Sequence, residues 1–265
     1  MSVKEANKII LITGCNKGIG YTLVENILKQ KLDLKIIFTS RNENLGKASL
    51  NKLISKYPSY ASTIFYHQLD ITNKESVDTI INYIKKNFAK IDILFNNAGL
   101  YHSSKENVIN TNVFGTIYIT QKFLEHQIIN DNGKIINVGS SMGSFSSAGN
   151  HINDFKMATT VNDLLNLGNR YLKENWSGGA YSISKLILNL SAKVLANNEE
   201  VKKKNIGAYS MDPGWCRTDM GGSGAPYPPE HGAEIGIFLI KLPFGILPKL
   251  QGKYFNSPSE NPGTF

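Results

Sequence analysis

A chain of 265 residues, 41% of them hydrophobic, is long enough to bury a full core and fits one α/β domain over 1–265 better than two small ones. Charged residues make up only 19%, which excludes wholesale disorder; the 29 Lys+Arg against 21 Asp+Glu are scattered apart from Lys202-Lys203-Lys204, which argues against a nucleic-acid surface and fits attraction of an anionic small molecule. Two distant cysteines, Cys15 and Cys216, no Cys/His metal spacing, a short polar start unlike a signal peptide and no membrane-length apolar run predict a cytoplasmic protein with no metal and no membrane partner.

The first apolar run, Ile9-Ile10-Leu11-Ile12, reads as a buried strand closed by Thr13-Gly14. A helix follows over about 18–31, with Ile19, Leu23, Ile27 and Leu28 at helical spacing. Lys35–Thr39 is a second strand, followed by a charged helical segment to about Lys56, and Thr63–His67 is a third strand. Residues 74–88 form a helix with Val77, Ile80, Ile81 and Ile84 on one face. Ile91–Phe95 is a fourth strand, a long helix is expected over about 104–129, and Lys134–Val138 is a fifth strand. A sixth lies near Ile206–Met211 and a short seventh near Tyr254-Phe255. Apolar strands alternating with amphipathic helices predict a doubly wound, Rossmann-type parallel sheet of about seven strands with helices on both faces. Two segments break the rhythm: a partly helical insertion over about 142–178, and a Gly/Pro-rich loop over about 213–232. Both follow strand C-terminal ends, where such sheets bind ligands, so each is a candidate wall or lid.

The first strand opens into Thr13-Gly14-Cys15-Asn16-Lys17-Gly18-Ile19-Gly20 and then a helix. Gly14 permits the sharp turn, Gly18 lets the backbone approach a pyrophosphate, and Gly20 lets helix and strand pack closely. The helix start adds free N–H groups and the positive end of a dipole. This strand–loop–helix setting makes the glycine pattern a dinucleotide signal; alone it would be a turn. The second strand ends Phe38-Thr39-Ser40-Arg41-Asn42, with no carboxylate before Arg41. An acid there would hold ribose hydroxyls and repel a 2′-phosphate, whereas Arg41 grips a phosphate in a fork and Lys17 approaches it as a point charge. With Ser40 as a further hydroxyl, these residues favour NADP(H) over NAD(H). Downstream, Tyr181-Ser182-Ile183-Ser184-Lys185 puts a phenol and an ammonium on one helix face. The ammonium is expected to lower the phenol's pKa toward the range useful for proton transfer.

The Gly-x-x-x-Gly-x-Gly loop, Ser40-Arg41, the Tyr-x-x-x-Lys pair and Asp212-Pro213-Gly214-Trp215-Cys216-Arg217-Thr218-Asp219-Met220 together resemble short-chain dehydrogenases/reductases, in particular the monomeric NADPH-dependent carbonyl reductase branch. The resemblance covers essentially the whole chain. It implies that Asn16 and Ile19 join the loop glycines and Lys17 against the cofactor, that Asp70-Ile71 hold the adenine, and that Asn97, Ala98 and Gly99 line the adenosine side. It implies a tetrad of Asn112, Ser141, Tyr181 and Lys185: Ser141, the second of a serine pair, binds the substrate oxygen; Tyr181 donates the proton; Lys185 holds the nicotinamide ribose; Asn112 anchors a water that links the lysine to solvent. Pro213 and Gly214 would flank the nicotinamide and Thr218 would hold its carboxamide. The insertion implies a monomer, with Met142, Phe145, Phe155 and Trp176 as candidate pocket walls, although core packing suits Phe155 better. Residues 225–231 are expected to be mobile. Asp212 departs from the family pattern and borders the pocket. The expected activity is reduction of a small-molecule ketone, aldehyde or quinone, with Trp215, Met220 and Tyr227 favouring an apolar one. Alternatives are the same chemistry run as an NADP-dependent alcohol dehydrogenase, or a non-catalytic NADPH-binding sensor or scaffold.

Overall fold

The computed structural model describes residues 8–265, so residues 1–7, most of the polar start read above, lie outside the described residues. Seven strands form one sheet: β1 (Lys8–Ile12), β2 (Leu34–Ser40), β3 (Ile64–Gln68), β4 (Ile91–Asn96), β5 (Ile129–Val138), β6 (Gly207–Met211) and β7 (Tyr254–Phe255). Their order is β3-β2-β1-β4-β5-β6-β7, and every neighbouring pair is parallel. The chain therefore reverses its direction of winding between β1 and β4, and opens a crevice at their C-terminal ends. Ten α-helices complete the described chain: α1 (Gly18–Lys29), α2 (Glu43–Lys56), α3 (Lys74–Asn87), α4 (Lys105–Ile109), α5 (Thr116–Glu125), α6 (Ile152–Met157), α7 (Val161–Lys173), α8 (Ala180–Asn197), α9 (Glu199–Lys203) and α10 (Pro229–Lys241).

The strands are buried on both faces, so alternate residues enter different cores. Ile10, Ile12, Ile36 and Phe38 pack with Leu23 and Ile27 of α1 and Ile235 and Leu239 of α10. Leu11 and Ile37 pack on the other face with Val77, Ile80 and Ile84 of α3 and Ile119 and Phe123 of α5. Asn42 and Asn73 cap α2 and α3, accepting hydrogen bonds from Leu45 N (3.0 Å) and Ser76 N (2.7 Å). Lys134, fully buried on β5, donates through Nζ to the carbonyls of Leu239 and Ile240 at 3.1 and 2.7 Å and to that of Leu242, closing the C-terminal end of α10.

The helix expected over 104–129 is not continuous. A π-helical stretch at Asn110–Gly115 separates α4 from α5, and β5 already begins at Ile129. The cause lies in Asn112, which is fully buried: its Oδ1 accepts from Leu100 N at 2.7 Å, while its Nδ2 donates to Leu100 O at 2.9 Å. That clamp draws the helix onto the segment after β4, and a π turn is how a helix absorbs such a pull at a functional position.

The 142–178 segment holds α6 and α7 and packs against α8. Leu164, Leu167, Phe155 and Trp176 join Ile183, Leu186, Ile187 and Leu190 in a third core. Phe155 and Trp176 are thus core residues and not pocket walls. A Thr160/Asp163 capping box starts α7.

Candidate active site

At the C-terminal ends of the strands lies a cleft of about 330 Å³. It gathers Gly14, Asn16, Lys17, Gly18, Ile19, Arg41, Asp70, Ile71, Asn97, Ala98, Gly99, Tyr181, Lys185, Pro213 and Thr218, residues the sequence reading had taken from six separate segments. Gly20 and Gly214 support it from outside the lining. A β-carbon at Gly20 would lie 2.5 Å from Asn97 Nδ2, so this glycine serves close packing. Gly14 has φ +71°, and a β-carbon there would lie 3.0 Å from Ala98 Cα. A broader groove of about 940 Å³ adjoins the cleft and shares Arg41, Ile71, Leu100 and Thr111 with it; it includes neither Tyr181 nor Lys185.

The nucleotide end is made by backbone and by exposed cations. Thr13 Oγ1 accepts from Asn97 N (3.0 Å) and Ala98 N (2.9 Å), and Asn97 Nδ2 donates to the carbonyls of Thr13 and Gly14. These bonds lock the β1 and β4 ends together and hold the glycine loop open. Lys17 precedes α1 without a side-chain cap, which leaves the first-turn N–H groups facing the cleft. Arg41 stands exposed at the rim. Ser40 does not join it: its buried hydroxyl donates to Asn42 O at 2.8 Å and meets Tyr66 Oη at 3.1 Å. Lys17 Nζ meets Asp219 at 2.8 Å, an exposed pair that ties the glycine loop to the segment after β6. Asp70 accepts from both N and Oγ1 of Thr72, which fixes the turn after β3.

The reacting end is made of buried side chains. Tyr181 starts α8, with the ring of Tyr101 edge-on at 4.7 Å. Lys185, one turn further, is buried; its Nζ donates to Val138 O at 2.7 Å and lies 5.5 Å from the centre of the Tyr181 ring. Asn189, a further turn on, donates to the carbonyls of Ser140 and Gly143, both at 2.9 Å. Asn189 Oδ1 also accepts from Ser140 N at 3.3 Å. A β-carbon at Gly139 would lie 1.8 Å from this oxygen, so the clamp needs a glycine there.

The clamp decides which serine faces the tyrosine, and the structure corrects the sequence here. Ser140 is buried and its hydroxyl lies close enough to the Tyr181 phenol to pull its pKa down, whereas Ser141 is exposed. Consecutive residues leaving a strand point to opposite sides, so counting by one residue changes the answer. Asn112 has a further, structural part here. Its side chain is spent on Leu100 and on Ser184 Oγ (2.9 Å), so it braces α8 from the π turn.

The electrostatics correct a second expectation. Burial pushes the Tyr181 phenol up to about 12, with the charge of Asp212 and the neighbouring Tyr101 adding and the Ser140 hydrogen bond opposing. The expected lowering by Lys185 does not prevail. Burial brings the Lys185 ammonium down to about 8, against the pull of Asp212. The site therefore holds its phenol protonated. The two thiols are free but poor nucleophiles: both are buried, and burial raises Cys15 to about 12 and Cys216 upward as well.

Sequence reasoning missed Ser140 and Asn189. The i, i+4, i+8 spacing of Tyr181, Lys185 and Asn189 would have found the asparagine. Nothing in sequence reports that Asn189 grips the Ser140 peptide.

A crevice at the winding reversal, a glycine loop against its floor, and a tyrosine and lysine one helical turn apart define a dinucleotide-dependent dehydrogenase. The family model for short chain dehydrogenases matches residues 8–152, and this chain belongs to that family. It is 30% identical over 261 residues to carbonyl reductase (NADPH) 1 of Rattus norvegicus, covering 89% of this chain and 92% of the relative. It is 29% identical over 265 residues to the Bos taurus protein of the same name, covering 91% and 93%. Among solved structures, salutaridine reductase of Papaver somniferum superposes with a TM-score of 0.81 at 23% identity, covering 94% of this chain and 99% of that one.

Proposed function

We propose that this protein reduces the carbonyl group of a small molecule to an alcohol with NADPH, and that Tyr181 donates the proton. The observation that carries this reading is the convergence, in one cleft, of Tyr181 with Lys185 one helical turn on and a nucleotide end that has cations and no carboxylate at the β2 terminus. The residues present fit NADPH. Gly14 and Gly18 keep side chains off the loop, Ile71 and Ala98 offer apolar walls, and Lys17 and Arg41 suit a 2′-phosphate. Carbonyl reductases named for NADPH are the relatives that match along nearly the whole chain.

When bound, the nicotinamide supplies the hydride to the carbonyl carbon. The chain's own residues do the rest. The hydroxyls of Tyr181 and Ser140 receive the carbonyl oxygen and stabilise the charge that grows on it. Tyr181 releases its proton to that oxygen, so that one hydride and one proton complete the alcohol. Lys185, held by Val138 O, keeps a positive charge near the phenol, and Asn112 and Asn189 hold its helix and Ser140 in place. Reduction uses the protonated phenol and alcohol oxidation the ionised one, so the two directions have opposite pH dependence. Met220 lines the cleft and Tyr101 abuts Tyr181, while Met142, Trp215 and Tyr227 are exposed apolar residues on the loops that follow β5 and β6. They suit an apolar or aromatic ketone, aldehyde or quinone. Tyr227 stacks on His231 at 4.1 Å within the 225–231 segment.

We also propose that the protein acts as a monomer in the cytoplasm. α7 lies across α8, α4 and the π turn, and two buried free thiols suit a reducing compartment. No helix of the described residues is long and apolar enough to cross a membrane.

The test is NADPH oxidation, followed at the nicotinamide absorbance band, against quinones, aromatic aldehydes and ketones, with NADH in parallel. Turnover with a strong NADPH preference is expected. NADPH binding with no turnover across the panel would contradict the catalytic reading, and equal use of NADH would contradict the roles of Lys17 and Arg41.

A further inference from the structure

Buried charges in a folded chain require compensation, usually by a partner of opposite sign at contact distance. Glu25 has Lys56 and Lys29, and Asp92 has Lys8. Lys134 ends on three helix carbonyls. Asp212 is different. It is 7% exposed, and among the described residues it has no cation within salt-bridge distance.

Its place is well defined. β5 and β6 pair Val138 with Met211, and Gly139 N donates to Met211 O at 2.7 Å, so Asp212 emerges one residue beyond that pair. Asp212 N donates to Phe255 O at 2.8 Å, and Oδ1 accepts from Gly214 N at 3.0 Å. The backbone of Asp212 is thus fixed by β7 and its carboxylate by the turn that follows β6. Val138 is the same residue whose carbonyl takes the Lys185 ammonium. The acid and the lysine therefore flank the end of one strand pair without touching.

We propose that Asp212 is the buried counter-charge of the reacting pair, a positioning residue that keeps Lys185 charged and Tyr181 protonated without contacting substrate. This rests on the reductase reading above for its purpose, but not for its test. Strand pairing and hydrogen bonds put Lys185 of α8, held on Val138 O, beside the strand pair that Asp212 ends, Tyr254 of β7 next to the Phe255 whose carbonyl takes Asp212 N, and Cys216 in the following loop; the Asp212 charge pushes these groups and Tyr181 upward alike. Tyr101 faces Tyr181, and Arg217 and Glu230 face Cys216. Arg217 is turned outward to the carbonyls of Ala225 and Pro226, which leaves Lys185 as the cation for this acid to balance. The phenols and the thiol near it are neutral acids, and a fixed negative charge opposes the ionisation of each. Removing the charge lowers the midpoints of Lys185 and Tyr181 together, so both changes move the alkaline limit of reduction to lower pH.

The test compares the full-length protein with Asp212→Asn, which keeps an acceptor for Gly214 N–H, and with Asp212→Ser, which keeps a smaller one. The lysine Cε atoms are isotope-labelled and titrated by NMR, with the Lys185 signal assigned by its loss in Lys185→Met. In the parent protein its midpoint is expected near 8. Each folded variant should lower it by about one pH unit, the lower end of a nearby-charge effect, and Asp212→Glu should restore most of it. The alkaline limb of kcat/KM in NADPH-driven reduction should move down in step. An unmoved Lys185 midpoint in either folded variant overturns the proposal, as does a variant that loses turnover at every pH with the midpoint unchanged. If the parent protein reduces no carbonyl, the lysine titration still decides the role of Asp212, so the two readings fail separately.

Discussion

On the proposed reading, the nucleotide end of the cleft offers backbone N–H groups and exposed cations, whereas the reacting end offers buried side chains held by other buried side chains. Lys17 and Lys185 show the contrast. Lys17 is solvated, pairs with Asp219 at the surface, and needs only to be near a phosphate. Lys185 is buried, spends a hydrogen bond on Val138 O, and depends on its surroundings to stay charged. Recognition of a polyanion tolerates mobile, screened charges. Proton transfer does not, because a misplaced or deprotonated group loses the step. The two ends should therefore respond very differently to single substitutions.

The sharpest break is expected at Tyr181. Tyr181→Phe keeps the ring against Tyr101 and removes the proton; turnover should fall by about a thousandfold, within the range for general acid catalysis. NADPH binding, followed by nicotinamide fluorescence, should change by less than about twofold if Lys185 stays in place. Next come the serines. Ser140→Ala should cost about a hundredfold in kcat, the scale of one donor to a developing oxyanion. Ser141→Ala, at an exposed position, should leave kcat within about twofold. The reverse pattern would restore the serine assigned from sequence and refute the role given to the Asn189 clamp.

At the nucleotide end the effects are smaller and fall on binding. Arg41→Ala should raise the KM for NADPH by about tenfold, the worth of one charge-assisted phosphate contact, and leave kcat unchanged. The KM for NADH should not move. Equal losses with both cofactors would mean that Arg41 shapes the loop and does not read the phosphate.

The smallest effect on activity, and a distinct one on stability, is expected at Lys134, away from the cleft. Burial lowers its ammonium to about 7 from an ordinary value of 10.5. Between these values the unfolded chain holds the proton and the folded chain does not. This residue therefore adds stability as pH rises through about 7, and its contribution is least below that. Denaturation midpoints measured at neutral and mildly alkaline pH should rise in the parent protein. That rise should be smaller in Lys134→Met, with turnover retained. Parallel pH trends in the two proteins would show that the helix carbonyls keep Lys134 charged throughout.

Legibility in the sequence followed the same division. The strand positions, the glycine loop and the absence of an acid after β2 are local in sequence, and periodicity and residue type carried them. The Tyr181–Lys185 pair was equally plain because both lie on one helix. The π turn at Asn110–Gly115 was not, since its residues keep helical spacing and only the Asn112–Leu100 clamp bends them. The choice between Ser140 and Ser141, and the commitment of Ser40 to Tyr66, depend on partners tens of residues away. Asp212 was visible as a departure, but its burial beside Lys185 appears only once β5, β6 and α8 are assembled. The direction of the Tyr181 shift was misread for the same reason: the motif displays the ammonium and not the burial that outweighs it.

The most direct test of the account is single-turnover reduction of an aromatic ketone by the NADPH-bound protein, comparing the parent chain with Tyr181→Phe at matched cofactor occupancy. Rapid NADPH oxidation is expected in the parent, and a rate about a thousandfold lower in the variant with cofactor still bound. Comparable rates in the two proteins would contradict Tyr181 as the proton donor.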